Sequence, residues 1–367
     1  MTVVGNSDIS KLLKGLVHVF VILAFFCCTE NQSVLIHNSI RNPIGKTNGI
    51  SLVGPPKEID SSWTTDVKSI NANWVAIIPY AFCDDKTGDI SYGEKVTHYQ
   101  WWGERPQGVC ATICHAKIAG LKVMVKPHLW IPGSWPGSFQ LKDEASWKNW
   151  ELQYEAYVLQ LASIADSMSA DVFCIGTELR FAANERPDYW RSLIRKVRAE
   201  FNGPLTFAAN WDNYNNITFW NDLDYIGIDA YFPLSENSTP SIDELIQAWK
   251  PIKKNIHSLS QKYNKPVLFA EYGYRSIDKA AWRNWEVEDN YELPVNLKAQ
   301  EHAYEAIYQS FWGEEWFAGG FLWKWYNNDL QSGGLKNTDY TPQNKPVERI
   351  MKYYHEKHSG NTTPKTD

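Results

Sequence analysis

Eight short stretches rich in β-branched and aromatic residues recur along the chain, and helical periodicity fills most of the intervals between them. They are Gly49–Val53, Trp74–Phe82, Leu121–Trp130, Asp171–Leu179, Leu205–Trp211, Tyr225–Phe232, Pro266–Tyr272 and Gly319–Trp325. Strands of a parallel sheet are buried on both faces, so they read as near-continuous apolar runs. Between them, Trp150, Tyr154, Tyr157, Val158, Leu161, Ile164, Ala165 and Met168 fall on one face of a helix. Trp190, Leu193, Ile194, Val197 and Phe201 do the same, with Gly203 where a C-terminal cap belongs. A further helix opens at Ser241, with Glu244 completing a capping box. Strands alternating with helices of this length mean βαβ units. Eight units in one chain predict a single (β/α)8 TIM barrel, an α/β fold that takes about 250 residues plus insertions. A doubly wound sheet is the competing topology, but no Gly-rich phosphate fingerprint follows any early strand.

The barrel domain is placed at 47–358, after a polar linker at 29–46 and before a polar tail at 359–367. Residues 1–28 read as an export signal: Lys11 and Lys14 precede an apolar run from Gly15 to Cys28. That run is short for a bilayer-spanning helix, which needs about 20 apolar residues, and suits a signal core. It stops at Cys27-Cys28, which resembles a bacterial lipoprotein signal in which such a cysteine is acylated, although Phe25-Phe26 stand where small residues are usual. An exported protein is expected, lipid-anchored in the cell envelope or secreted, touching membrane only through that anchor.

Charge and cysteine usage narrow the function. With 36 Lys+Arg against 42 Asp+Glu, there is no basic footprint for nucleic acid. Cys83, Cys110, Cys114 and Cys174 are too few for a disulfide framework. Cys110 and Cys114 share a helical face beside Val109 and Ile113, without a second pair to complete a zinc set, and are read as inert buried thiols. No His-x-His pair ends the first strand and the histidines at 98, 115, 128 and 257 are scattered, so no metal is expected. The chain carries 18 Trp, 19 Tyr and 15 Phe. Many will be core, but so much Trp in an acidic chain also fits rings stacked on flat, uncharged ligands such as sugars.

In a barrel of this kind, polar residues at the C-terminal ends of strands are the catalytic candidates. The fourth strand ends at Glu178 and the seventh at Glu271, each after an apolar run. A carboxylate there must be paired or hydrogen-bonded, or it takes up a proton. Two carboxylates facing each other across a barrel mouth amid aromatics are the equipment of glycoside hydrolysis: one protonated to serve the leaving oxygen, one ionised to attack. The bland reading is a barrel-top ion pair of Glu178 with Arg180 or Lys126. Lys126 is also placed to pair with a catalytic glutamate or with Asp229, and Asp229 itself is read as a structural hydrogen-bonding partner. Further polar or aromatic strand-end residues are Tyr80, His128, Asn210, Tyr231 and Trp323. The connections at 83–108 and 274–299 are longer than the unit requires and rich in Trp, Tyr and charge; Trp101-Trp102 in the first either line a sugar subsite or pin the loop.

From about Gly49 to Tyr326 the chain resembles a clan A retaining glycoside hydrolase. Phe173-Cys-Ile-Gly-Thr-Glu-Leu179, Tyr225-Ile-Gly-Ile-Asp-Ala-Tyr231 and Leu268-Phe-Ala-Glu-Tyr-Gly273 resemble glycoside hydrolase family 113, the β-mannanases. The resemblance implies Glu178 as acid/base, Glu271 as nucleophile, Tyr231 as the tyrosine holding the nucleophile, and Trp323 as the floor under the sugar. Thr177 departs from the clan, where an Asn that contacts the sugar 2-hydroxyl usually precedes the acid/base; Asn210 or His128 is expected to supply that contact. Substrate-binding candidates are therefore Tyr80, Trp101, His128, Asn210, Tyr231 and Trp323. The expectation is a monomeric, cofactor-free endo-β-1,4-mannanase acting on β-mannan, glucomannan or mannooligosaccharides. The alternatives are an exo-acting β-mannosidase or other retaining β-glycanase and, in a different class, a non-catalytic sugar-binding lipoprotein.

Overall fold

The structure is a computed structural model that describes residues 45–93, 100–283, 285–286 and 293–360. The expected signal, most of the linker and most of the tail lie outside these residues. Among the described residues, no helix is long and apolar enough to cross a membrane.

Eight parallel strands close into a barrel. In chain order they are β1 (Thr47–Leu52), β2 (Trp74–Ile77), β5 (Lys122–Val125), β7 (Val172–Thr177), β8 (Leu205–Asn210), β9 (Ile226–Asp229), β10 (Val267–Tyr272) and β11 (Phe317–Trp325). Around them lie α1 (Trp63–Ser69), α2 (Pro106–Ile118), α3 (Glu144–Ser167), α4 (Arg180–Glu185), α5 (Pro187–Glu200), α6 (Ile242–Tyr263), α7 (Leu297–Phe311) and α8 (Val347–Lys357). Two apolar layers hold this together. Val75, Val123, Phe173, Phe207, Ile228 and Phe269 face outward into a large core shared with the helices. Trp74, Ala76, Met124, Cys174, Ala208, Leu268, Ala270 and Phe321 face inward and fill the barrel. Gly49 belongs to the inner layer by necessity, since a Cβ there would sit 2.3 Å from the Phe321 ring.

Two expected strands prove to be four. The stretch 74–82 divides into β2 and β3 (Tyr80–Cys83), and 121–130 into β5 and β6 (His128–Trp130). Pro79 and Pro127 stand at the breaks, where the missing N–H removes a ladder bond. Beyond them β3 pairs with β6 and with β4 (Ile90–Ser91), forming a three-stranded sheet above the rim. This small sheet walls one side of the barrel mouth.

Helix ends also refine the expectations. Chain reversal after α5 uses an extended Phe201 as cap, with Gly203 beyond it. At α6, Ser241 accepts the Glu244 N–H at 3.2 Å, but the Glu244 carboxylate turns to Ser235 and Asn237 rather than closing a capping box. Cys83 and Cys174 are buried, whereas Cys110 and Cys114 on α2 are only half-buried.

Candidate active site

The inner layer changes character at the C-terminal ends of the strands. The alternation that points Met124 inward also points Lys126 inward, and Gly227 on β9 is followed in phase by Asp229. On β10 strict alternation from Leu268 and Ala270 would bring Tyr272 inside. Register shifts against both neighbouring strands between Phe269 and Tyr272 alter the phase. As a result Glu271 enters the mouth while Tyr272 packs into the outer core. Glu178 follows β7 in the left-handed region, at φ 55°, a conformation that costs a non-glycine residue roughly 1 kcal/mol or more.

Glu271 is buried and fully engaged. The Lys126 ammonium, itself without solvent exposure, bonds to Oε1, and the Tyr231 hydroxyl donates to Oε2 at 2.7 Å. His128 Nε2 lies 3.7 Å from Oε1. Burial, reinforced by the Lys126 charge, pushes the His128 pKa well below its ordinary value, so this ring is neutral. Burial works against the Lys126 ammonium, but Glu271 and Asp229 outweigh it and raise its pKa.

Glu178 has a different setting. Its Oε2 accepts the Trp135 indole N–H at 2.6 Å. Burial first, and then the charge of Glu271, push its carboxyl up to about 7, with Trp135 and Lys126 opposing. Asp229 is completely buried, and neither carboxyl oxygen has a hydrogen-bond partner among the described residues, contrary to its expected structural role. Burial and then Glu271 drive its pKa well above the ordinary carboxyl range against the pull of Lys126. The buried Lys126 ammonium thus pairs with one of the three carboxyl groups at the site, and burial favours a proton on the other two. Neither ion pair of the bland reading forms on Glu178 among the described residues. Lys126 goes to Glu271, and Arg180 pairs with Asp212 at 3.0 Å.

These groups open on a cavity of about 590 Å³ lined by Tyr80, His128, Trp130, Trp135, Glu178, Asn210, Trp211, Tyr231, Glu271, Trp285, Trp323 and Tyr340, among others. That volume is in the range of small-molecule sites. Trp323 stacks on His128, with centroids 5.8 Å apart, and Tyr80 also packs against that imidazole at 4.8 Å. Trp130 on β6 is more than half exposed, and Trp211 packs against Trp285 at 5.3 Å. Asn210 donates to Asp212 at 2.8 Å. Of the expected binding residues, only Trp101 does not line this cavity. It precedes a helical turn, 102–104, that is hydrogen-bonded to Pro55 and Pro56, which fits the loop-pinning role.

Sequence reasoning overlooked Trp135 and Tyr340. Trp135 sits in Gly133-Ser-Trp-Pro-Gly137, whose turn residues were a usable signal for a shaped loop. Tyr340 comes from beyond the last strand, on a loop tied down by Gln343, Asn344 and Lys345. Among the described residues, no group of three or more His, Cys, Asp or Glu is arranged to hold a metal ion.

Comparison with known proteins gives the same architecture a family. The model of Glycoside Hydrolase Family 113 matches residues 58–345. The β-mannanase AaManA from Alicyclobacillus acidocaldarius superposes with a TM-score of 0.74 at 23% identity, covering 85% of this chain and 98% of that one. Another family 113 β-1,4-mannanase gives 0.72 at 23% identity over 85% and 99%. A β-glucuronidase from Faecalibacterium prausnitzii shares the barrel more distantly, at 0.56 and 14% identity over 85% of this chain and 49% of that one. No curated protein matches the sequence in a direct search.

Proposed function

The chain belongs to glycoside hydrolase family 113 and is a glycoside hydrolase, and we propose that it is a retaining endo-β-1,4-mannanase acting on mannan or glucomannan. The observation that carries this reading is the opposite electrostatic setting of two carboxyl groups on one cavity. Glu271, paired with Lys126 and Tyr231, is equipped to attack as the carboxylate. Glu178, whose carboxyl burial and its neighbour's charge push up to about 7, is equipped to arrive protonated.

In the proposed first step Glu271 attacks the anomeric carbon as the glycosidic C–O bond breaks, and Glu178 protonates the departing oxygen. In the second, Glu178 takes a proton from water, whose oxygen displaces Glu271 from the sugar. Trp323 serves as the floor of the subsite at the cleavage point. Asn210 and His128 are the candidates for the sugar 2-hydroxyl, with Tyr80 packed against the imidazole. Mannan as substrate is supported by the family and by the β-mannanases that share the fold. Export with acylation at Cys27 or Cys28, and a monomeric state, complete the proposal; incorporation of labelled fatty acid, abolished by substituting both cysteines, tests the anchor.

The deciding experiment measures reducing-end release from linear mannan, galactomannan, glucomannan, cellulose, xylan and a β-1,3-glucan, wild type beside Glu271→Ala. Activity confined to the mannan-containing polymers and lost in the variant is expected. Activity on xylan or glucan alone overturns the substrate, and an active variant overturns the nucleophile.

A further inference from the structure

Between β6 and α3 the chain turns tightly: Ile131 and Ser134 form an antiparallel bridge, and a helical turn follows at Pro136–Ser138. Trp135 lies between them, its ring folded over Gly137, where a Cβ would stand 2.2 Å from the indole. The other constraint comes from α4. The Arg180 guanidinium sits 5.0 Å from the Trp135 ring centroid, and is held by Asp212 Oδ2 at 3.0 Å. Asp212 Oδ1 accepts from Asn210 at 2.8 Å. A continuous chain of contacts thus runs from the tip of β8 through Asp212, Arg180 and Trp135 to Glu178.

We propose that Trp135 is the positioning residue of the acid/base, holding Oε2 of Glu178 as an acceptor so that the transferable proton resides on Oε1. The proposal rests on the reading of Glu178 as acid/base. An indole N–H can only donate, so the oxygen it meets must accept. In a protonated carboxyl group the better acceptor is the carbonyl oxygen, which leaves the hydroxyl on the other one. Once Glu178 ionises, the same bond becomes charge-assisted and about twice as strong. Trp135 therefore favours the ionised form, opposing the burial that favours the proton. The Arg180–Asp212 pair keeps the indole in register with both states, and neither charge of that pair has to touch the catalytic oxygen.

Two measurements need no substrate. In wild-type protein carrying ¹⁵N-indole label, one indole N–H resonance should move with pH at the midpoint of Glu178, and that movement should vanish in Glu178→Gln. In protein carrying ¹³C-carboxyl glutamate, Trp135→Phe should raise the Glu178 midpoint by about one pH unit. With substrate, the alkaline limb of the kcat/KM profile should rise by the same amount. No indole resonance following Glu178, or an unmoved midpoint in a folded Trp135→Phe protein, overturns the proposal. Because the titrations are read in the free protein, a failure to cleave mannan would fault the proposed function and leave this inference standing or falling on its own result.

Discussion

The two sides of the barrel mouth treat the same functional group in opposite ways. At the end of β10, Glu271 receives an ammonium at one oxygen and a phenol hydroxyl at the other, so both oxygens are hydrogen-bonded and one meets an opposite charge. At the end of β7, Glu178 receives one neutral indole and faces another carboxylate. In the proposed mechanism one fold thereby provides a nucleophile and an acid from identical side chains, because their neighbours differ. Asp229 extends the contrast: a third carboxyl, more buried than either, whose two carboxyl oxygens have no hydrogen-bond partner among the described residues and which is pushed toward its neutral form.

Removing the charged side is expected to have the largest effect. Glu271→Ala should lower kcat by about 10⁵-fold or more, the scale on which a covalent nucleophile acts. On the protonated side, Glu178→Gln should cost about 10²–10⁴-fold on polysaccharide. That loss should shrink on an aryl glycoside whose phenol leaves without help, and equal losses on both substrates would break the assignment. Wild-type activity should decline as pH rises through about 7, where Glu178 gives up its proton. A rate still undiminished at pH 9 would contradict the acid role.

Stability should follow the same division. Lys126→Met strands the buried Glu271 carboxylate and is expected to cost about 3–5 kcal/mol in urea unfolding. Asp229→Asn replaces a group that already favours its neutral form, and should cost less than about 1 kcal/mol at neutral pH. Its sign with pH is also determined. The folded state holds the Asp229 proton more tightly than the unfolded chain does, so that residue's contribution to wild-type stability falls as pH rises above about 4. The Asn variant should lack this part of the slope; if it proves as unstable as Lys126→Met, the contrast between the two carboxyls is wrong.

Much of this was legible without coordinates, and for identifiable reasons. The periodic burial of Trp150, Tyr154, Tyr157 and Leu161 announces α3, and the doubly buried runs announce the strands, because both are local consequences of apolar side chains meeting a core. Glu178 and Glu271 stood out because charge at the end of an apolar run is costly unless it is used. The division of two strands at Pro79 and Pro127 was available in principle, since proline cannot donate to a ladder. The partner of Lys126 could not be read, because Glu271 and Asp229 are both within plausible reach and lie far along the chain.

The amino-acid sequence by itself determined the eight-unit barrel, the two carboxyls at its strand ends and the aromatic character of the site, since each depends on residue type and spacing along one strand or helix. Only the tertiary structure decided that Lys126 serves Glu271, that the Asp229 carboxyl finds no hydrogen-bond partner among the described residues, that Trp101 stays outside the cavity, and that Trp135 and Tyr340 line it. Those outcomes depend on the phase shift in β10, the small sheet above the rim and the closure of distant loops. They are sums of long-range contacts, which no local pattern encodes.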